Sequence, residues 1–163
     1  MFSIRTNTGY SLLETVIYIG LIGVMLAIST SAIISMYRTF GILRAERSVS
    51  LNGDIAMETM IRDIRTATST DISISVFRQD PGVLRVGTTT FSLTGAALQR
   101  QIDSGPAQTI TGDDARVTSL VFYRDTSSES DMISVRMTIS SGNGFFARQK
   151  QYYGSAVLRG SYK

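Results

Sequence analysis

The sequence predicts an α+β protein in which one long N-terminal helix is followed by antiparallel strands. Residues 15–37 carry no charge, and a stretch of this kind favours a helix in an apolar environment. Apolar residues then recur at intervals of three and four to about Thr68, and at intervals of two beyond it. The first spacing is typical of an amphipathic helix and the second of half-buried strands. We therefore expect an apolar helical segment that ends at residue 37, an amphipathic continuation of the helix over 38–68 and an antiparallel β domain over 69–163.

The composition fits this arrangement and excludes several kinds of chemistry. A chain of 163 residues and 17.8 kDa suits one small domain with one appendage. It contains neither His nor Cys, which excludes catalysis by either side chain, Cys/His zinc sites and disulfides. Its formal net charge of +3 is too small to indicate a nucleic-acid binder by itself.

The uncharged stretch, 15–37, is long enough to cross a bilayer. As a helix it would span about 34 Å, against a hydrocarbon core of about 30 Å. A cleaved secretory signal is one interpretation, since small residues suitable for cleavage occur around 27–29 and 31–32. A plain signal anchor is another. Glu14 at the start of the stretch argues against a secretory signal, because an acid near the centre of a spanning helix costs about 2.5–3.5 kcal/mol, and somewhat less near an end.

Residues 9–16, GYSLLETV, followed by the apolar stretch, resemble the N-terminus of type IV pilins and type II secretion pseudopilins. The resemblance implies that a prepilin peptidase removes residues 1–9 as a leader, cutting between Gly9 and Tyr10, so that 10–37 is the transmembrane and assembly helix. It also implies N-methylation of Tyr10 and a role for Glu14 as the assembly acid. The chain departs from the family pattern at Thr8, where a Lys or Arg is usual, and at Tyr10, where Phe is usual. It also lacks the mid-helix proline of many major pilins.

Removal of the leader gives Glu14 a chemical partner. The new amine of Tyr10 and the Glu14 carboxylate would each pay several kcal/mol if left alone in a low-dielectric layer. They lie four residues apart, so they can meet within one helix; the family model favours the amine of a neighbouring subunit. A simpler alternative is that Glu14 only interacts with the partial positive charge at the helix start.

The helix is expected to continue through residues 38–68 with one apolar face. Its members are Phe40, Leu43, Leu51, Met57, Met60, Ile61, Ile64 and Ala67. The triplet 52–54, Asn-Gly-Asp, predicts an interruption with a kink near Gly53, after which Asp54 would act as N-cap. We expect Met57, Met60 and Ile61 to pack against the sheet of the same chain rather than to bind a ligand.

Beyond Thr68 the pattern predicts short strands that form one antiparallel sheet on the second half of the helix. Alternation is clearest at Ile72, Ile74 and Val76 and in residues 133–140. The other predicted strands are 83–86, 89–94, 97–102, 117–124 and 151–160. A long helix followed by such strands also resembles the pilin family, which makes the expected fold pilin-like.

Two groups of charged residues are candidate ligand sites. Asp113-Asp114 and the group Asp125, Glu129 and Asp131 have the oxygen ligands that calcium prefers, but their spacing fits no EF-hand loop. We interpret them as solvated turns and predict no metal and no cofactor. The basic residues that could contact nucleic acid are Arg148, Lys150, Arg159 and Lys163, with Tyr152 and Tyr153 nearby. Ordinary surface charge is the simpler interpretation of that cluster.

No catalytic motif is present, so we expect no enzyme activity. The resemblance implies a minor pilin or a J-type minor pseudopilin that joins, or primes the tip of, a type IV pilus-like filament or a type II secretion pseudopilus. Its implied partners are prepilin peptidase, other pilin or pseudopilin subunits, an inner-membrane assembly platform and the lipid bilayer. The implied location is the bacterial inner membrane, crossed once, with the C-terminal domain outside the cytoplasm.

Two alternatives stay open. One is a binding module at the filament tip that contacts DNA, a surface or a secreted substrate. The other is a secreted or anchored β-domain protein with an ordinary signal sequence.

Overall fold

A computed structural model describes residues 11–127 and 130–161 and has an α+β fold. The helix α1 spans Leu12–Thr66. The strands are β1 (Leu84–Val86), β2 (Thr89–Thr94), β3 (Ala97–Ile102), β4 (Gln108–Thr109), β5 (Ala115–Thr126), β6 (Asp131–Ser141) and β7 (Arg148–Val157). Short 3-10 helices occupy Gly144–Phe146 and Arg159–Ser161. The chain divides into two compact units, one ending at Phe40 and the other beginning at Gly41.

In the second unit, one face of α1 forms part of the hydrophobic core. Val49, Ala56, Met60 and Ile64 are buried there at intervals of four and seven residues, and Met57 and Ile61 pack against the same core. The expectation that Met57, Met60 and Ile61 pack against the sheet is confirmed. The expected face was wrong at its N-terminal end, where Phe40, Leu43 and Leu51 are all more than half exposed. They lie on a different side of the helix from Val49 and Met60, as their spacing requires.

The predicted interruption at 52–54 is wrong, since α1 runs through the triplet without a break. Gly53 is buried because the ring of Tyr152 lies directly against it, and a Cβ at this position would overlap the ring. Asn52 forms a tertiary contact in place of a turn, accepting a hydrogen bond from the backbone N–H of Gly112 at 2.7 Å. These residues resembled turn residues in the sequence because close packing against a helix selects the same small or polar side chains.

The strands form two antiparallel sheets rather than the one expected, in the orders β1-β2-β3-β4 and β5-β6-β7. The sheets meet where the backbone N–H of Val117 donates to the carbonyl of Ala96 at 2.8 Å. Side chains from both sheets, among them Phe91 and Phe122, join the helix residues in one core. Both sheets therefore pack against the second half of α1. The six strand segments predicted beyond residue 80 are each found, with small shifts at their ends.

The strand predicted at Ile72, Ile74 and Val76 is absent, although Val76 makes an isolated bridge to Val83. The Asp71 carboxylate accepts hydrogen bonds from the hydroxyl of Ser73 at 2.6 Å and from its backbone N–H at 3.0 Å. These bonds hold the pKa of Asp71 below its usual value, the Ser73 hydroxyl having the largest effect. Such local side-chain bonds compete with a sheet ladder, so the segment forms turns and leaves Ile72 exposed.

Candidate functional site

The first unit contains a long apolar surface that is exposed in the described part of the chain. Every large apolar side chain from Leu12 to Tyr37 is between 48% and 83% exposed. This part of α1 is long and apolar enough to cross a membrane. Since such a surface is unfavourable in water, it requires another apolar environment, either lipid or protein.

Several hydroxyl groups in this stretch and just after it are hydrogen-bonded within the helix. Thr30 donates to the carbonyl of Leu26 at 2.8 Å, Ser31 to that of Ala27 at 2.9 Å, and Thr39 to that of Ser35 at 2.9 Å. A hydroxyl without a partner in hydrocarbon is costly, and bonding to the preceding turn removes that cost. Thr30 and Ser31, two of the residues that make the second half of the stretch more polar, are therefore compatible with an apolar surrounding.

Glu14 lies in the first turn of α1 and is half-buried. The phenol of Tyr18, one turn later, donates a hydrogen bond to Glu14 Oε1 at 3.1 Å. The sequence prediction concerned only Tyr10 as a partner of Glu14 and missed Tyr18. A spacing of four residues on a helix is the signal that would have revealed it. Gly9 and Tyr10 lie outside the described residues, so the predicted cleavage and methylation stay predictions.

The predicted basic cluster does not form one patch among the described residues. Arg148 and Lys150 lie at the start of β7, whereas Arg159 follows its end. The part of β7 from Lys150 to Val157 alone spans about 23 Å at the usual strand rise, and Arg159 follows it. Tyr152 is not available for stacking, because it is buried and donates to the carbonyl of Val49 at 3.2 Å. Lys163 lies outside the described residues, and nucleic-acid contact by this group stays a prediction.

The acidic residues are dispersed. Asp131 pairs with Arg124 at 2.7 Å, and Asp114 lies 3.5 Å from the side-chain amide of Asn52. Glu129 lies outside the described residues. Within residues 11–127 and 130–161, no three acidic side chains come together in a way that would hold a metal ion. The prediction of no metal concerns the whole chain and stays a prediction.

The solvent-facing side of the sheet β5-β6-β7 carries a cluster that the sequence analysis missed. The guanidinium carbon of Arg136 lies 5.4 Å from the ring centroids of both Tyr123 and Tyr153. The three side chains come from three different strands, with Arg136 directly opposite Tyr153 in the register. Alternation along β6 places Arg136 on the polar face, but only the strand pairing shows that two tyrosines flank it.

Comparisons with protein-family models, with curated proteins and with solved structures found no match for this chain.

Proposed function

We propose that this chain is a minor pilin or pseudopilin, a membrane-stored subunit that is cleaved, N-methylated and assembled into a type IV pilus-like filament or a type II secretion pseudopilus. The observation that carries the proposal is the first half of α1. Its large apolar side chains are all exposed, and its only acid, Glu14, lies in the first turn. A plain anchor needs the apolar surface but has no use for the acid.

The acid has a use if cleavage occurs between Gly9 and Tyr10. The cleaved subunit would carry a positively charged amine at Tyr10, four residues from the Glu14 carboxylate. In an apolar surrounding the two charges attract strongly, and pairing them removes much of the cost of burying each. If the amine comes from a neighbouring subunit, this one contact sets the axial position of each incoming subunit.

The apolar surface then has two successive environments. Before assembly it lies in lipid, and after assembly it packs against the equivalent helices of other subunits. A contact that repeats from subunit to subunit without closing produces a filament. The partners in this proposal are prepilin peptidase, other subunits and an assembly platform in the bacterial inner membrane, with the C-terminal domain outside the cytoplasm.

Intact-mass measurement of the protein extracted from its native membrane tests the processing. The expected mass is that of residues 10–163 plus one methyl group. A chain that still begins at Met1, or that begins beyond Ala27, contradicts the proposal. Loss of about 30 residues would indicate the alternative of an ordinary secretory signal.

Replacement of Glu14 by Ala tests the assembly role. We expect normal cleavage but at least about a tenfold fall in incorporation into filaments, because the amine of the partner would be buried unpaired. Incorporation is measured as the fraction of subunits in sheared filaments. Glu58→Ala is the matched control, since Glu58 is an exposed acid of α1 outside the apolar stretch. Normal incorporation of the Glu14 variant contradicts the pairing.

A second candidate function is that of a binding module at the filament tip. The exposed cluster of Arg136 with two tyrosines favours it, because such a cluster is unnecessary for a subunit that only fills space. DNA contact through Arg148 and Lys150 belongs to the same candidate. It predicts retention of DNA that weakens steeply with salt and on neutralising these two residues.

A further inference from the structure

The outer face of the sheet β5-β6-β7 contains a shallow depression of about 340 Å³. Its centre is Ser134 on β6, with Tyr123 opposite on β5 and Ser155 opposite on β7. Arg136, two residues further along β6, and Tyr153, opposite Arg136 on β7, also border the depression. Two small residues side by side between larger ones create the depression, since side chains on one sheet face stand about perpendicular to the sheet.

Arg136 has no acidic partner in the described part of the chain. The ion pairs found there are Asp63–Arg100 and Arg124–Asp131. Arg136 instead lies between two aromatic rings, which attract a cation through their negative faces. Tyr153 is itself held by the hydrogen bond from its phenol to Gln151 Oε1 at 2.6 Å. The guanidinium is therefore positioned in advance while its hydrogen-bond donors lack an anion.

The other groups around the depression are suited to bind a ligand whose ring carries hydroxyl groups. Tyr123 and Tyr153 provide flat apolar surfaces, and the hydroxyls of Ser134 and Ser155 form the floor. Neither serine hydroxyl bonds to another residue within the described ranges. Guanidinium groups bind carboxylates with two parallel hydrogen bonds, and hydroxyls bind the hydroxyls of a ligand. An aromatic ring packs well against the C–H face of a sugar.

We propose that this depression, here called the Arg136 site, binds an acidic sugar through a carboxylate on the sugar ring. Arg136 would hold the carboxylate, the tyrosines the ring, and the serines its hydroxyls. A nucleic-acid strand fits less well, because Arg136 is the only cation among the residues that line the depression. Strands of nucleic acid are bound in grooves with several cations that follow the phosphates.

The Arg136 site is independent of membership in a filament. All residues of the Arg136 site belong to the unit that begins at Gly41, so the site exists whether or not Gly9 is cleaved. A negative result in the binding experiment would not contradict the proposed processing and assembly, and a negative result in the mass or Glu14 experiment would not contradict the Arg136 site.

Isothermal titration calorimetry of the full chain in neutral detergent tests the proposal. The probes are a short oligogalacturonate, its methyl ester, which has the same rings without the charge, and a single-stranded oligothymidylate. We expect the acid to bind, and the ester to bind at least about tenfold more weakly, because the ionic hydrogen bonds are lost.

Three variants locate the binding. Arg136→Gln is expected to weaken oligogalacturonate binding about tenfold or more, and Arg136→Lys less, because Lys keeps the charge but not the planar fork. Arg116→Gln is the matched control; Arg116 is an exposed arginine of β5 that borders a different depression. It should change the affinity less than about twofold. Far-UV circular dichroism verifies that each variant is folded.

Three results would overturn the proposal. In the first, acid and ester bind equally, or neither binds at millimolar concentration, which would make the cluster a cross-strand packing feature only. In the second, Arg136→Gln binds oligogalacturonate as the unchanged protein does. In the third, oligothymidylate binds more tightly than oligogalacturonate and loses affinity in Arg136→Gln, which would identify the ligand as nucleic acid.

Discussion

The two halves of α1 have the same backbone conformation and opposite relations to the rest of the chain. From Leu12 to Tyr37 the large apolar side chains are all exposed, whereas Val49, Met60 and Ile64 in the second half are almost completely buried. Glycines follow the same division. Nothing approaches Gly20 or Gly23, whereas an aromatic ring lies against Gly41 and another against Gly53.

This contrast shows that helix formation and burial are separate requirements. A regular helix satisfies its backbone without any tertiary contact, and the free energy of folding comes from what covers its apolar face. The large apolar side chains of the first half are not covered by the described part of the chain. The second half obtains that covering from its own sheets, which is why small residues are required there at the points of closest approach.

Replacing one isoleucine in each half should give the largest difference in stability between the two halves. Ile64→Ala removes a side chain that is 0% exposed and should reduce the free energy of unfolding by about 2–5 kcal/mol. Ile33→Ala, at a position 68% exposed, should change it by less than about 0.5 kcal/mol. Thermal unfolding in neutral detergent, followed by near-UV circular dichroism of tyrosine, measures both. Equal losses would mean that the first half is covered by its own chain.

A pair of glycines sharpens the same contrast with a smaller effect. In Gly53→Ala the new methyl group must displace the Tyr152 ring and strain its hydrogen bond to Val49, which we expect to cost about 1–3 kcal/mol. Gly20→Ala meets nothing within 4 Å and should leave the unfolding of the second unit unchanged. The same melting experiment applies. A stabilised Gly53→Ala variant would show that Tyr152 does not pack on the helix as described.

The smallest expected effect comes from removing the hydrogen bond that Tyr18 donates to Glu14 in the first half. Tyr18→Phe removes the phenol that donates to the carboxylate, and filament incorporation should fall by about two- to fivefold, less than in Glu14→Ala. Tyr37→Phe, at the far end of the apolar stretch, is the matched control. Because Tyr18 acts through Glu14, adding Tyr18→Phe to Glu14→Ala should cause no further loss. Additive losses would assign Tyr18 a role independent of the carboxylate.

Local pattern was a good guide wherever one element determines the outcome. The apolar stretch, the position of Glu14 and six strand segments follow from composition and periodicity, and the structure has the helix and strands where these patterns place them. The pattern failed at Gly53, which has the composition of a turn, and at Ile72, which has the alternation of a strand. At Gly53 a distant tyrosine decided the outcome, and at Ile72 the nearby Asp71 carboxylate did.

The candidate sites also divide into those that the local sequence pattern reveals and those that depend on residues far apart in the chain. Glu14 was evident because an acid beside an apolar stretch is anomalous in the sequence itself. The partnership with Tyr18 was available from helical spacing but was overlooked. The Arg136 site was not available at all, because Tyr123, Arg136 and Tyr153 are brought together only by the pairing of three strands.

By itself the sequence determined that the chain has a helix too apolar to remain in water, an acid at its start and a set of alternating strands to follow. These are properties of residues close together in the sequence. Local hydrophobicity and backbone geometry depend on such residues alone. Only the tertiary structure decided that the strands form two sheets, that one face of α1 beyond Gly41 is covered, and that Arg136, without an acidic partner among the described residues, lies between two tyrosines. Each of these depends on the register and packing of residues far apart in the chain, which no local pattern encodes.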